Sequence, residues 1–475
     1  MLTILRTVLL AGAVTLISTL LAVPLAWLTT RTDLPLKRLW ATLTALPIVI
    51  PSYVGAYLLV STLGPRGMLQ EWLEPLGVTR LPAIYGFPGA LFILTILSYP
   101  YILLGVRAAL QNADSSQEEA ARSMGLNAWQ TFWRVTLPSL RPAIASGGLL
   151  VALYVLRDFG AVSVMRYNTF TRVIYLQYKS TFDRSAAAVL SLVLVVLTLT
   201  LLYFEYRTQT KAQYYTNAIS AKRIPKTVRL GRWKWLALLF VILVVVAGVA
   251  MPTLNLLYWL LRGVLAGEVI PDLWLSTRNS IFAAGLAAVC TLLAALPVAI
   301  TSVRYPGRMS KAIRSISYIA FALPGIVIAL ALVFFGANYA QPFYQTLPML
   351  ILAYLILFSP EAVGTLHASL LQVHPSIEES GRSLGHSPLS VFRKITLPLV
   401  RPGISASMAL VFLTTMKELP ATLILAPIGF KTLSTGVWGA VSEAFFAQAA
   451  APALLIILVS SVPMGFMILD EKFNH

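Results

Sequence analysis

"EEAARSMGLNAWQTFWRVTLPSLRPAI" (residues 118–144) and "EESGRSLGHSPLSVFRKITLPLVRPGI" (residues 378–404) are one segment written twice, 260 residues apart and without a gap. Glu119, Gly125, Leu137, Pro138, Arg141 and Pro142 recur as Glu379, Gly385, Leu397, Pro398, Arg401 and Pro402. Both copies are polar islands in an apolar chain. A duplicated, Gly- and Pro-punctuated loop between long hydrophobic runs implies a repeat of the whole membrane architecture around it.

Composition sets the solvent. The 475 residues are 58% hydrophobic and 11% charged, with a mean hydropathy of +0.79, whereas a soluble domain carries roughly 25% charged residues. The chain reads as an all-α polytopic membrane protein. Its net charge of +18 does not point to nucleic acid, because the basic residues sit in short loops between apolar runs, which is the positive-inside pattern. The one cysteine, Cys290, lies inside an apolar segment, so neither a disulfide framework nor a thiolate metal site is available. The first apolar run, Ile4 to Trp27, is too long for a signal peptide and ends in a basic loop without a small-residue cleavage site. It reads as a retained span.

Eleven stretches approach the ~20 apolar residues a crossing helix needs: 4–28, 40–62, 88–110, 142–164, 186–206, 235–261, 279–301, 313–336, 347–370, 402–426 and 450–469. Arg31, Lys37 and Arg38 follow the first. Arg207, Lys211, Lys222, Arg223, Lys226, Arg229, Arg232 and Lys234 follow the fifth. Arg304, Arg308, Lys311 and Arg314 follow the seventh. With eleven spans these basic loops and both repeated segments share one side, the cytoplasmic one. Loop 337–346 carries no charge and 427–449 only Lys431 and Glu443; loop 165–185, with Arg166, Arg172, Lys179, Asp183 and Arg184, fits the pattern less well.

Six spans separate the two copies, which returns them to the same face, so the repeat is parallel, with an axis along the membrane normal. "TLLAVP" (19–24) echoes "TLLAALP" (291–297), "ALP" at 45–47 echoes "ALP" at 322–324, and Pro100 matches Pro360. The expected organisation is a first half at 1–206, a basic cytoplasmic linker at 207–234 containing Pro225 and Gly231, and a second half at 235–475. The second half holds six spans and the first five. Either a leading helix before Ile4 is absent from this sequence, or five spans per half suffice for the core machine.

Each repeated segment reads as a short helix, a turn, and an amphipathic piece before the next span. Glu118 and Glu119 sit near a helix start, where acids meet the positive end of the dipole. Asp114, Ser115 and Ser116, and Ser376 in the second copy, are candidate N-caps. Gly125 and Gly385 can end the helix or permit close approach, and Leu-Pro marks a break before the next span. Trp129, Phe132 and Trp133, with Leu389 and Phe392, supply an apolar face that suits docking; the alternative is a solvated loop-helix kept because two halves were duplicated.

Glu119-Ala120-Ala121, three residues, Gly125, nine residues, Val135-Thr136-Leu137-Pro138 resembles the EAA motif of binding-protein-dependent ABC importer permeases. Glu379-Ser380-Gly381, Gly385 and Ile395-Thr396-Leu397-Pro398 resemble it again, with Ser-Gly in place of Ala-Ala, which lowers helix propensity. The resemblance implies a type I importer fold of two fused halves in a bacterial inner membrane. It also implies that the segment, with Glu119, Ala120, Gly125, Pro138, Glu379, Gly385 and Pro398, is a coupling helix seated in an ATP-hydrolysing subunit. Two copies of that subunit close as a pair, so the chain offers two sockets, and closure would switch access across the membrane. No G-x-x-x-x-G-K-[ST] occurs in the chain, so ATP is expected on the partner. The chain itself is expected to be a transport subunit, to need no cofactor and to hold no resident metal.

Arg157-Asp158 and Lys417-Glu418 follow the two segments at the same 260-residue shift. Each pair lies about 24 Å into its span at 1.5 Å per residue, where charge is expensive and normally faces a bundle interior or an aqueous path. Two readings stand: ion pairs that fix packing, or an acidic vestibule made by Asp158 and Glu418. Glu361 is a third acid, with Tyr101 at the matching position. Asp158-Phe159-Gly160 and Lys417-Glu418-Leu419-Pro420-Ala421-Thr422 resemble the ferric-iron branch of these permeases, where both halves are commonly fused. That resemblance implies import of Fe(III) handed over by a periplasmic binding protein. A hard ferric ion wants oxygen ligands, and Asp158, Glu418, Tyr154 and Tyr167 are the candidates for transient contact; His367, His374, His386 and His475 fall on or near the cytoplasmic side. The competing cargoes are thiamine and a phosphonate. From other classes, an ion-coupled secondary transporter also uses repeats and buried acids but leaves the doubled cytoplasmic helix without a purpose, and a structural scaffold does not explain three intramembrane acids.

Overall fold

The fold, taken from a computed structural model, is helical throughout its described residues. These are 2–64, 67–78, 81–112, 115–179, 184–210, 227–268, 273–310, 312–313, 317, 320 and 323–473, without the side chains of 112, 115–117, 128, 204–210 and 462–473. The expected caps Asp114, Ser115 and Ser116, the linker residues 211–226 with Lys211, Lys222, Arg223, Pro225 and Lys226, and Asp183, Lys311, Arg314 and His475 lie outside that description, as does the side chain of Arg207. The chain forms two compact units, residues 1–258 and 259–475.

The first unit is built on α1 (Leu2–Arg31), α2 (Ser52–Leu63), α3 (Phe87–Asn112), α4 (Ser115–Ser123), α5 (Arg141–Arg157), α6 (Gly160–Val164), α7 (Phe170–Lys179), α8 (Arg184–Thr210) and most of α9 (Trp233–Leu265). α1, α3 and α5 pack together. Leu10, Val14, Leu94, Ile102 and Val151 are fully enclosed, while Leu5, Leu16 and Leu20 on the other face of α1 are more than half exposed. Leucines turned outward over a filled core are what a lipid solvent permits. Small residues bring the helices close: a Cβ on Gly147 would stand 2.8 Å from the Ile102 Cα.

The second unit runs through α10 (Leu273–Arg304), α11 (Gly325–Asn338), α12 (Leu347–Gln372), α13 (Pro375–Ser383), α14 (Arg401–Lys417), α15 (Pro420–Leu425), α16 (Leu433–Ser442) and α17 (Phe446–Phe473). α10 buries Ala283, Ala284, Ala287, Ala288 and Ala295 against α12 and α14, and turns Phe282 and Leu293 outward.

The described residues of the eleven expected spans fall largely on helix, but not on eleven unbroken helices. Six described helices are long and apolar enough to cross a membrane, and nine if each bent pair counts as one span. Lys37–Val49 and Ser52–Leu76 meet at 99° at Pro51, which has no N–H to give and holds Ile50 extended. The stretch 313–336 contributes a described helix only from Gly325. Spans 142–164 and 402–426 break after Arg157 and Lys417, where Asp158 (φ −64°, ψ 127°) and Glu418 (φ −68°, ψ 126°) leave helical geometry. Gly160 and Pro420 then begin new short helices.

The structure also corrects one register. Pro324 precedes α11 with the same extended backbone that Pro51 shows before α2, a shift of 273 residues that also relates Pro24 to Pro297. The echo of "ALP" at 45–47 in 322–324 pairs the wrong prolines. α9, the span without a counterpart, packs on the first unit. Its Asn255 Nδ2 donates to the Thr62 hydroxyl (2.6 Å) and its Oδ1 accepts from Ser61 (3.0 Å), while Gly248 admits Pro47 and Ile96. The end of the basic connection is tied down as well: Val228 N donates to Arg31 O (2.8 Å), and Leu230 N to the Asp33 carboxylate (2.9 Å).

Candidate functional site

The duplicated segment takes the same form in both units. α4 and α13 are nine residues each. Gly125 (φ +90°) and Gly385 (φ +85°) end them in the left-handed conformation. Leu126 N reaches back to Ala121 O and His386 N to Gly381 O at 3.2 Å, while Gly125 N and Gly385 N close on Arg122 O and Arg382 O at 3.0 Å, the paired bonds of a Schellman ending. A Cβ at either glycine would meet nothing within 4 Å. Of the two readings, ending the helix is the one these glycines serve within the chain; the demand is on the backbone dihedral, not on space.

The cap expected at Ser376 is at His374, whose Nδ1 accepts from Ser376 N (3.3 Å). Asn127 and Ser387, at one register, cap the next turn through Gln130 N (2.8 Å) and Ser390 N (3.3 Å). Then comes a π turn, Phe132–Thr136 and Phe392–Thr396. Pro138 and Pro398 lie in the helical turn that follows, where a proline has no donor to lose to the disturbed ladder. The sharp bend comes two residues later, at Leu140 and Val400, with angles of 61° and 67°.

The apolar face is partly as expected. Trp129, Trp133 and Leu389 are more than half exposed, as are Met124 and Leu384 at a matching position. Phe132 and Phe392 are half-buried instead, with Phe132 edge-on to Trp27 at 5.6 Å between centroids. Ala120, Gly125, Glu379, Gly385 and Pro398 are exposed, and Glu119 and Pro138 half-buried.

Sequence reasoning gave Glu118 only a place at the helix start and passed over Glu378. Glu378 Oε1 takes hydrogen bonds from Arg304 Nη2 (2.9 Å), Arg304 Nε (3.2 Å) and Thr396 Oγ1 (2.9 Å). In the first unit Glu118 Oε1 accepts from Thr136 Oγ1 (3.0 Å) and faces Arg31 Nη2 at 3.7 Å. Arg31 and Arg304 each close the helix that opens their repeat. The signal available in the sequence was the 273-residue shift relating these two arginines, together with the threonine that stands before each Leu-Pro. A cavity of about 350 Å³ opens beside the second cluster, bounded by Arg304, Tyr305, Arg382 and Leu389.

The second copy's Ser-Gly departure is compensated. Ala121 is buried in the first copy. At the same register a Cβ on Gly381 would stand 2.5 Å from Ile395 Cδ1 and 3.3 Å from Val391 Cγ2. Position 395 is Ile where the first copy has Val135. Small residue and large residue have exchanged volume, and the helix keeps its length.

The intramembrane acids cap the breaks they sit on. Asp158 Oδ1 accepts from Val162 N (3.2 Å), with the Ser52 hydroxyl also bonded to the carboxylate. Glu418 Oε1 accepts from Ala421 N (3.0 Å). Their carbonyls are held too, Asp158 O by the Thr171 hydroxyl (2.5 Å) and Glu418 O by Thr422 (2.9 Å) and Ser434 (3.0 Å). The longer acid stands against the smaller neighbour: a Cβ on Gly325 would meet Glu418 Oε1 at 2.7 Å, at the position where the first unit has Ser52. Glu361 accepts from Thr414 Oγ1 (3.1 Å) and lies within the field of Lys417. Matching positions in the first unit carry Tyr101 and Tyr154, their rings 5.5 Å apart between centroids and tilted by 42°. The halves therefore differ here by a paired exchange, aromatic–aromatic for acid–hydroxyl. Of the other oxygen candidates, Tyr167 donates its hydroxyl to Arg6 O at 3.2 Å.

These two matched units lie where a family model finds them. The model described as binding-protein-dependent transport system inner membrane component matches residues 14–207 and again 287–470. The chain belongs to this family. It is an inner-membrane permease, a transport component and not an enzyme, of a system in which an ATPase and a substrate-binding protein are separate subunits. The permease is 36% identical over 433 residues to the Fe(3+)-transport system permease protein FbpB 2 of Haemophilus influenzae, covering 90% of this chain and 82% of that one. It is 25% identical over 472 residues to the ferric transport system permease protein FbpB of Actinobacillus pleuropneumoniae, covering 95% and 68%. The molybdenum transport system permease protein ModB of Escherichia coli K12 is 31% identical over 179 residues, 36% of this permease and 77% of ModB. The two family matches confirm the two-repeat, all-helical fold expected from the duplicated segment.

Proposed function

We propose that this permease carries ferric iron, delivered by a periplasmic binding protein, across the inner membrane by alternating access, driven by two copies of an ATPase subunit. The similarity to the Haemophilus ferric permease over 90% of the chain carries the choice of cargo. The molybdenum relative supports only the shared machinery, since it aligns with about one third of the chain. Two copies of the ATPase follow from two coupling segments of one geometry, each ending in a left-handed glycine and presenting Met124 and Trp129, or Leu384 and Leu389, to a partner. Glu119, Ala120, Gly125 and Pro138, with Glu379, Gly385 and Pro398, form these sockets. In this reading the halves are 1–206 and 235–475, joined through 207–234, and α9 is the second half's added helix even though it packs on the first unit.

Asp158 and Glu418 hold helix breaks in the path, with Arg157, Lys417 and Glu361 beside them. Their carboxylates already accept backbone N–H groups, so they shape the path more than they hold the ion, and cargo selection rests with the binding protein. Uptake of labelled iron against labelled thiamine in a strain lacking the permease tests the reading. Restored iron uptake, lost on Gly125→Asp or Gly385→Asp together with capture of the ATPase subunit, supports it. Uptake of thiamine alone, or transport that survives ATP depletion on an ion gradient, defeats it.

A further inference from the structure

We infer that the buried knot of Arg304, Glu378 and Thr396, with its counterpart Arg31, Glu118 and Thr136, is the strut that makes each coupling helix move its spans. This rests on the reading that α4 and α13 engage the ATPase. A short helix held only by its flanking turns would pivot when pulled, and the displacement would be absorbed in the loop. The knot removes that freedom. Arg304 is the last residue of α10, where a cation suits the negative end of the helix. Its Nη2 donates both to Val373 O, the residue that caps the end of α12, and to Glu378 in the first turn of α13. Glu378 takes the Thr396 hydroxyl as well, at the end of the π turn that leads into α14. One carboxylate and one guanidinium thus join the ends of α10 and α12, and the π turn that precedes α14, to the coupling helix. The π turn contributes directly: its extra residue per turn changes the phase of the ladder and brings Thr396 round to Glu378.

Both charges are largely shielded, with 12% and 11% of the side chains exposed. A shielded pair resists separation far more than a surface pair does, because either charge left alone keeps its desolvation cost. The first unit keeps only part of the arrangement: Thr136 still donates to Glu118, but Arg31 stands off at 3.7 Å and makes no hydrogen bond among the described residues. The knot sits on the inner face of each coupling helix, next in sequence to the motif residues Glu119 and Glu379. Glu118 and Glu378 are positioning residues, acting through the helix they hold.

The test uses the full chain, in a Cys290→Ser background, with spin labels on Ser380→Cys in α13 and Tyr305→Cys just beyond α10. Both sites are exposed. With the knot intact, the distance distribution is narrow with and without ATP. With Glu378→Gln it broadens, and cargo moved per ATP hydrolysed falls about tenfold while the ATPase subunit still co-purifies, as befits a shielded pair stripped of one charge. Thr396→Val, which removes one hydroxyl and keeps the shape, broadens it less. Glu118→Gln has a smaller effect than Glu378→Gln. A distribution unchanged by Glu378→Gln, or hydrolysis and transport falling in equal proportion, overturns the strut. Failure of the unsubstituted chain to retain an ATPase subunit overturns the functional reading itself, whatever the labels report.

Discussion

Replacing Gly381 by Ala puts a methyl 2.5 Å from Ile395 Cδ1 and 3.3 Å from Val391 Cγ2, where carbon atoms at rest stand about 3.5–4.0 Å apart. Over-filling of this size costs about 1–3 kcal/mol. The gain from exchanging Gly for Ala in a helix returns up to about 1 kcal/mol, so Gly381→Ala alone should destabilise α13 by about 1 kcal/mol. Ile395→Val alone empties a methylene and costs another ~1 kcal/mol. Together they install the pair already present as Ala121 and Val135, and the double variant should be close to the parent. The coupling energy is then about −2 kcal/mol, well outside the ~0.5 kcal/mol scatter of independent sites. Hydrogen exchange of amides within 375–396 reads the local opening free energy directly, without requiring a single unfolding transition for the whole chain. Additive costs in the double variant would refute the idea that the two copies traded volume across this contact.

Gly125→Ala and Gly385→Ala should each loosen their helix ends by about 1–2 kcal/mol, the cost of a left-handed L-residue, and equally, since neither Cβ meets a neighbour; exchange at Leu126 and His386 would show it. Asn255→Leu should weaken the packing of α9 by about 1–2 kcal/mol, because it removes two intramembrane hydrogen bonds to Ser61 and Thr62, and thermal unfolding of the purified chain in lipid discs reads that loss. Lys417→Met should destabilise the second unit by about 2 kcal/mol by leaving Glu361 without its neighbouring cation. Lys417→Met with Glu361→Gln should recover much of it, measured by the same unfolding assay.

The long helices were legible because length and hydropathy alone define a span, and the duplicated segments because their punctuation repeats without a gap. The breaks at 158 and 418 were harder. Arg157-Asp158 and Lys417-Glu418 read as ion pairs or as an acidic vestibule inside an unbroken span, yet the residues that betray the break, Gly160 and Pro420, follow two positions later. An acid placed two residues before a helix-opening Gly or Pro is better read as a cap. Glu378 was hidden because the motif directs attention to Glu379, and its partners lie 74 and 18 residues away in the chain. The exchanges of Tyr101 and Tyr154 for Glu361 and Thr414, and of Ala121 and Val135 for Gly381 and Ile395, are invisible position by position. Each becomes sensible only when the two members are known to touch.

The placement of α9 bears on how the permease is made. The first family match ends at residue 207, but the unit around it is completed only at residue 258. Chains emerge and insert from the N-terminus onward, so the groove at Ser61 and Thr62 must wait in the bilayer for about fifty further residues of synthesis before Asn255 arrives to fill it. A ribosome that stops at the end of the first repeat would leave two hydroxyls facing lipid. Each hydroxyl would still hold the Leu58 carbonyl of its own helix, so the unit survives the wait, but its packing is finished only by a helix made after the first repeat.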